Sequence, residues 1–266
     1  MLKSLPINID KDTQLLLRRF GWIALLFFIA VLVVSAIERK ERSQVEGLSI
    51  DIEPLEVGES LINEADIKLA ITRNFGYQLE GRKIAAIDVE RIEEVLETEP
   101  FILNADVYVG ANNAVQIRVE QREPILRIID NNGMNYYLDI NGIKMPLSKH
   151  FTAKVLVATG SLPTYDENFK KRKRNRIKDA YELTQLLLND DFLNAMIEQI
   201  YFNNKGEITL VPIVGKHKVF FGKFVNAEDK LKRLKIFYKE AMPHEGWRKY
   251  RSVNLEFDGQ VVCKKR

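Results

Sequence analysis

The sequence predicts an α+β protein behind a single membrane-spanning helix, with an antiparallel sheet in its larger part. Three observations carry that expectation. Phe20–Ile37 runs 18 residues without a charge. Between residues 48 and 119 the patterning reads strand, helix, helix, strand, strand. Beyond Pro124, short alternating segments and Asn-Gly or Asp-Gly turns dominate, with two amphipathic helices among them.

The apolar run FGWIALLFFIAVLVVSAI covers about 27 Å as a helix, close to the hydrocarbon thickness of a bilayer. Trp22 sits near one end, where an amphipathic ring suits the headgroup region. A buried core helix is disfavoured, because the run has no polar face and charged clusters flank it. A cleaved signal peptide is the stronger alternative, since Val34-Ser35-Ala36 offers small residues in a cleavage-like order. The run exceeds the roughly 7–15 apolar residues of a signal core, which favours an uncleaved anchor. Lys3, Lys11, Arg18 and Arg19 on one flank face Arg39, Lys40 and Arg42 on the other, so charge leaves the orientation open. The short amino-terminal tail favours a cytoplasmic amino terminus.

After the charged stretch Glu38–Arg42, Leu48-Ser49-Ile50-Asp51-Ile52 alternates as a strand. Asn63 can cap a helix whose face is Ile67, Ala70, Ile71, Asn74 and Phe75, with Asp66 at its third position and Gly76 stopping it. Asp88 can cap a second helix with Val89, Ile92, Val95 and Leu96 on one side. Phe101–Val109 and Val115–Val119 flank an Asn112-Asn113 turn and read as a hairpin.

In the second part, Ile125–Ile129 and Asn135–Leu138 flank Asn131-Asn132-Gly133, and Asn141-Gly142 leads into Ile143–Pro146. Val155–Ala158 reads as a short buried strand. A helix of about 20 residues is expected next, with Ile177, Ala180, Tyr181, Thr184, Leu187 and Leu188 on one face. Strands recur at Glu198–Asn203, Glu207–Val211 and Lys218–Phe221, with Pro212 marking an edge or break. Asn226 is placed to cap a helix burying Leu231, Leu234, Tyr238 and Ala241. Arg251–Phe257, an Asp258-Gly259 turn and Val261–Cys263 follow.

The 266 residues are 46% hydrophobic and 29% charged, with 14 Gly and 8 Pro. Those values exclude collagen-like, disordered and disulfide-rich classes. Cys263 is the sole cysteine, so it has no partner for an intrachain disulfide, a CxxC pair or a zinc site. His150, His217 and His244 are scattered and lack ligand spacing. Asp190-Asp191 and Glu93-Glu94 are adjacent on helices and point different ways, unlike an acid–base dyad. There is no GxGxxG, P-loop or GxSxG, and Gly160-Ser161 lacks the setting of a nucleophile elbow. No catalytic, metal-binding or cofactor-binding residue is therefore expected.

The net charge of +3 hides a cluster. Lys170, Lys171, Arg172, Lys173, Arg174, Arg176 and Lys178 lie within nine residues; without them the balance is −4. The protein is mildly acidic with one basic block, not a globally basic nucleic-acid binder. Three readings of that block stay open: a solvated first half of the following helix, contact with anionic headgroups or another acidic surface, and nucleic acid. The last has no aromatic interleaving or recognised motif behind it.

Three segments resemble the bacterial cell-division family FtsQ/DivIB. Ile117-Arg118-Val119-Glu120-Gln121-Arg122-Glu123-Pro124 is similar to the strand, Arg and Pro that close that family's POTRA unit. Tyr137-Leu138-Asp139-Ile140-Asn141-Gly142-Ile143 is similar to its hydrophobic–Asp–x–x–Gly hairpin. Val253-Asn254-Leu255-Glu256-Phe257-Asp258-Gly259-Gln260-Val261-Val262 resembles its carboxy-terminal strand. Two features depart from the pattern: only three basic residues follow Cys263, and the block at 170–178 has no counterpart.

The resemblance implies a cytoplasmic tail at 1–19, a transmembrane helix at 20–37, a juxtamembrane segment with a POTRA-like domain at 38–123, and an FtsQ-like β domain at 124–266. It also implies an amino terminus inside and domains outside the cytoplasmic membrane, at the division septum. The implied role is a non-enzymatic divisome scaffold that binds FtsB-like and FtsL-like membrane partners, with nucleic acid not among its partners. The alternatives are a membrane-anchored cell-wall enzyme and a POTRA-type secretion or assembly factor.

The expected partner surface is Ser252, Val253, Asn254, Leu255, Glu256, Phe257, Asp258, Gly259 and Val261. Ser252, Asn254 and Glu256 alternate with Val253, Leu255 and Phe257, so one face can lie on a core and the other in water. If this strand is a sheet edge, its free N–H and C=O groups can add a partner strand, with Phe257 as an aromatic anchor. Glu256→Pro would then remove one ladder N–H. The alternative is a strand satisfied within its own sheet, with Phe257 in the core.

Overall fold

A computed structural model describes residues 11–266, with the side chains of 11–18, 38, 39, 41 and 42 left aside. Most of the expected cytoplasmic tail, including Lys3, lies outside the described residues, as do the flanking side chains of Lys11, Arg18, Arg39 and Arg42. Helix α1 (Lys11–Arg42) contains the span Arg19–Ile37, which has mean hydropathy 2.7 and no buried share. Its length and composition suit a membrane anchor or a signal segment. The charged stretch after Ile37 continues this helix. The chain divides into two compact units.

One unit takes the chain up to Asp51 with Lys68–Leu96 and Ala105–Arg118. A three-stranded sheet has the order β1-β3-β2, from β1 (Gly47–Glu53), β2 (Ile102–Val109) and β3 (Ala114–Gln121). Helices α2 (Glu64–Phe75) and α3 (Val89–Glu97) precede β2. Asn113 takes φ 58° in the turn between β2 and β3. Within this unit Ala70, Ile71, Ile92, Val95, Leu96, Ala105, Val107, Val115 and Ile117 are buried. Asp88 Oδ1 accepts the Arg91 N–H at 3.0 Å, and Glu93 Oε1 accepts that of Val107 at 2.6 Å, tying α3 to β2.

The other unit takes Ile52–Ile67, Glu97–Asn104 and Val119–Arg266. Asn63 and Asp66 form a reciprocal cap at the start of α2: Asn63 N–H donates to Asp66 Oδ2 at 3.1 Å and Asp66 N–H to Asn63 Oδ1 at 3.0 Å. A nine-stranded sheet has the order β12-β11-β10-β9-β8-β7-β4-β5-β6. Its strands are β4 (Pro124–Ile129), β5 (Asn135–Asp139), β6 (Lys144–Met145), β7 (Leu156–Gly160), β8 (Ile197–Phe202), β9 (Ile208–Pro212), β10 (Lys218–Gly222), β11 (Tyr250–Asn254) and β12 (Val262–Lys265). Pro212 is the last residue of β9, opposite Ile197.

The sheet is mixed where antiparallel pairing was expected: β4 with β7, β7 with β8, and β10 with β11 run parallel. Helical crossovers account for the last two, because a chain that leaves one end of a strand must cross the sheet to start a parallel neighbour. Helices α4 (Arg176–Leu188) and α5 (Asp191–Met196) link β7 to β8. Helix α6 (Ala227–Ile236), a π turn at Phe237–Ala241 and α7 (Met242–Glu245) link β10 to β11.

The expected helix of about 20 residues is shorter. Asn175 Oδ1 accepts the Ile177 N–H at 2.8 Å and starts α4 at Arg176, while Asp190 Oδ1 accepts from Leu193 at 3.2 Å and starts α5 separately. The basic block therefore mostly precedes α4; it does not form the first half of a helix. Asn226 stands at the N-cap of α6 at φ 51°, but its side chain makes no cap bond.

Alternation along β5 buries both its faces. Tyr136 joins the main core with Leu126, Ile128, Ile200, Phe202, Leu210 and the apolar sides of α4 and α6. Tyr137 joins a second cluster with Leu55, Leu61, Met145 and Ala153. Gln121 ties the 52–67 segment down: its Oε1 accepts the Leu61 N–H at 2.7 Å and its Nε2 donates to Glu53 O at 2.8 Å.

A candidate docking edge

The segment expected to dock a partner is anchored inside the sheet. In β11, Ser252, Val253 and Asn254 pair in parallel with Lys218, Val219 and Phe220 of β10. On the other side the same three residues pair antiparallel with Lys264, Cys263 and Val262 of β12. The sequence-based edge is thus corrected: β11 is interior, and β12 is the edge strand on its side of the sheet, with β6 at the other end. The cause is the return of the chain after Asp258-Gly259, which covers β11 with four further residues.

The remaining predicted residues divide between core and loop. Leu255 is fully buried and continues the β10 pairing, its N–H donating to Phe220 O at 2.9 Å. Glu256 lies beyond β11, and its N–H donates to Asn254 Oδ1 at 2.8 Å. Glu256→Pro would break that local turn and leave the ladder intact, so it does not test a docking edge. Phe257 is 53% exposed, which places it in the loop and not in the core. Asp258 and Gly259 are exposed beside it, while Val261 is half-buried against the main core.

The open side of β12 can be located from one bond. Arg266 N–H donates to Lys249 O at 3.1 Å, towards β11. The period of two along a strand turns the Lys264 N–H to that same side and those of Cys263 and Lys265 outward. The side chains of Val262, Lys264, Lys265 and Arg266 are exposed. Cys263 packs partly on the core, and burial pushes its thiol up, away from the reactive thiolate.

Two cations on α6 hold backbone carbonyls, one at the end of β10 and the other in the loop that leads to β12. Lys230 is buried and donates to Phe221 O at 2.8 Å and Lys223 O at 2.9 Å. Burial lowers its pKa, and the nearby Glu256 carboxylate opposes that. Arg233 Nη1 donates to Phe257 O at 2.9 Å and also to Gln260 O; Nη2 reaches Leu255 O at 3.4 Å. Asp229 Oδ2 orients the guanidinium through a 2.8 Å bond from Nε. Sequence reading passes over both residues, because charges next to Leu231 and Leu234 look like a solvated helix face.

The basic block splits in the same way. Lys170 donates to Asn141 O and stands 4.8 Å from the Tyr181 ring. Arg172 pairs with Asp166, and Lys178 with Glu182 at 3.7 Å. Arg176 bonds Ser161 O at 2.6 Å and Asn204 O at 2.9 Å, linking the end of β7 to the turn after β8. Lys171, Lys173 and Arg174 remain exposed. Among the described residues, no group of three or more His, Cys, Asp or Glu side chains is placed to hold a metal ion.

A family profile described as FtsQ/DivIB, C-terminal related, matches residues 123–264, which contain the whole nine-stranded sheet apart from Lys265. The chain belongs to the FtsQ/DivIB C-terminal-related family. A second profile, described as a POTRA-like domain, matches residues 44–120. Comparison with curated proteins finds no match. The FtsQ/DivIB-related architecture suggests a division-protein-like role, and both domain types are typically non-catalytic.

Proposed function

We propose that this chain is a non-enzymatic scaffold of the bacterial divisome, anchored in the cytoplasmic membrane by Phe20–Ile37 with its amino terminus inside. In this reading residues 1–19 are the cytoplasmic tail, 38–123 carry the juxtamembrane segment and POTRA-like domain, and 124–266 form the FtsQ-like domain outside the membrane. FtsB-like and FtsL-like partners dock there by β-augmentation, linking septal peptidoglycan synthesis to division.

The observation that carries the docking step is β12, a four-residue edge strand in an FtsQ/DivIB-related sheet. An edge strand has unused N–H and C=O groups that a partner strand can pair. Phe257 and Val262, 53% and 43% exposed, supply apolar contact beside it. Lys264, Lys265 and Arg266 discourage unselective strand addition and favour a partner segment that carries carboxylates.

The test compares Lys265→Pro with Lys264→Pro in the full-length chain. Lys265→Pro removes an outward N–H and is expected to lose the FtsB-like and FtsL-like pair from solubilised membranes with little change in thermal unfolding. Lys264→Pro breaks pairing to β11 and is expected to lower the unfolding temperature. Undiminished recovery of the pair by Lys265→Pro would remove β12 as the docking edge.

A further inference from the structure

Arg233 stands away from the open side of β12, yet it holds the loop that delivers that strand. Its guanidinium is 13% exposed at the side-chain level and joins three carbonyls, those of Leu255, Phe257 and Gln260. All three belong to the stretch between the end of β11 and the start of β12. A single planar fork of donors suits this arrangement better than a lysine's point charge. Asp229, 54% exposed and one helical turn earlier, fixes the fork by its contact with Nε.

Other contacts hold the ends of the loop, where Leu255 N–H bonds Phe220 O at 2.9 Å, Glu256 N–H bonds Asn254 Oδ1 at 2.8 Å and Val261 packs on the core; its middle leans on Arg233. Glu256, Phe257, Asp258, Gly259 and Gln260 are all exposed, and the Gln260 N–H reaches Phe257 O only at 3.4 Å. The strand it leads into is four residues long, with exposed side chains at all positions but Cys263. An edge of that kind is a poor template unless its approach is fixed beforehand, since ordering it on binding costs conformational entropy.

We infer that Arg233 is a positioning residue for partner capture: it pre-orders the 255–260 loop, fixing β12 in register and Phe257 beside it. This rests on the reading of β12 as the docking edge. Lys230 has a separate task, because its two carbonyl partners lie at the end of β10 and in the turn after it.

The experiment uses the full-length chain in lipid nanodiscs, with the purified FtsB-like protein of the same source as probe. Arg233→Gln is compared with Arg233→Lys, Asp229→Asn and Lys265→Pro. In the partner-free protein, Arg233→Gln is expected to speed amide hydrogen exchange across 256–263, with exchange in β8 and β9 unchanged. Its affinity for the probe is expected to fall about tenfold. Arg233→Lys and Asp229→Asn should fall in between, since each keeps part of the contact set; Asp229→Asn serves if Arg233→Gln does not fold. Unchanged exchange in 256–263 would overturn the inference. So would faster exchange with full affinity while Lys265→Pro binds weakly, which leaves the docking edge standing. If Lys265→Pro also keeps full affinity, the docking edge itself falls and the role of Arg233 falls with it.

Discussion

Arg122 Nη1 stands 3.2 Å from Asp139 Oδ2, with 14% and 2% of the two side chains exposed. This pair joins two of the three segments that resemble the family, the one ending in Pro124 and the hairpin around Asn141-Gly142. The other carboxylate oxygen of Asp139 accepts the N–H groups of Asn141 at 2.9 Å and Ile143 at 2.7 Å, so one side chain shapes the turn and holds the arginine. Gly142 completes the turn at φ +73°, where a Cβ would also run into Lys170 and Phe169.

Breaking such a pair leaves a buried charge without its partner. Arg122→Ala is expected to destabilise by about 3–5 kcal/mol. Asp139→Ala should cost at least as much, since it also frees two turn N–H groups. Urea unfolding of both single variants and the double variant would check this. Fully additive losses would show that the pair does not act as a unit.

The amino-terminal cap of α2 offers a smaller, cleaner effect. Asn63→Ala removes the oxygen that accepts the Asp66 N–H and is expected to cost about 1 kcal/mol. The Asp66 carboxylate keeps its contacts with Lys149 at 2.8 Å and His150 at 2.7 Å. Although burial pushes Asp66 up, Lys149, the Asn63 N–H and His150 together hold it below the usual carboxylate value. No change in the urea midpoint on Asn63→Ala would mean that these outside contacts alone fix the start of the helix.

The basic block should split in two under mutation. Arg176→Ala removes bonds to Ser161 and Asn204 and is expected to cost about 1.5–3 kcal/mol, the range for hydrogen bonds to a charged group. Lys171→Gln, Lys173→Gln and Arg174→Gln should each stay within about 0.5 kcal/mol, being exposed. If this half of the block faces an anionic surface, amide exchange at 171–174 slows in nanodiscs of anionic lipid and not in zwitterionic ones. Equal exchange in both would dismiss the membrane reading.

His217 gives the fold an acid-sensitive point. It is 1% exposed, and its Nε2 lies 2.8 Å from the Tyr238 hydroxyl. Burial pushes the imidazole below its ordinary 6.5; the Gly215 backbone opposes this and nearby Arg266 adds to it. The unfolded chain therefore takes up this proton before the folded one does. The contribution is present in full above about pH 6.5 and is lost progressively as pH falls below it. The urea midpoint should drop between about pH 7.5 and 5.5, and His217→Phe should flatten that limb while lowering the plateau. An equally steep limb in His217→Phe would assign the acid sensitivity to other groups.

Much of the fold is legible because it is local. Asn63 and Asp88 cap helices through their own neighbours, and Asn113 and Gly142 take positive φ within single turns. The apolar span of α1 needs only length and composition. Where a cap stood inside an apolar rhythm, that rhythm misled. Leu183, Leu187 and Leu193 are all buried, yet Asp190 divides them between two helices.

The candidate site was legible only in part. Sequence alone determined that an alternating strand near Val253 and Leu255 would rest on a core, and that Asp258-Gly259 would reverse the chain. Only the tertiary structure decided that β11 is interior and β12 is the edge. Strand order depends on pairing between segments far apart in sequence, and here the α6 crossover sets β11 parallel to β10. Four residues such as Val262–Lys265 carry too short a period to announce such a place. Arg233 was hidden for the same reason, since its three acceptors are backbone carbonyls more than 20 residues away. A backbone carbonyl carries no side-chain signature, so only the folded chain shows which cation reaches it.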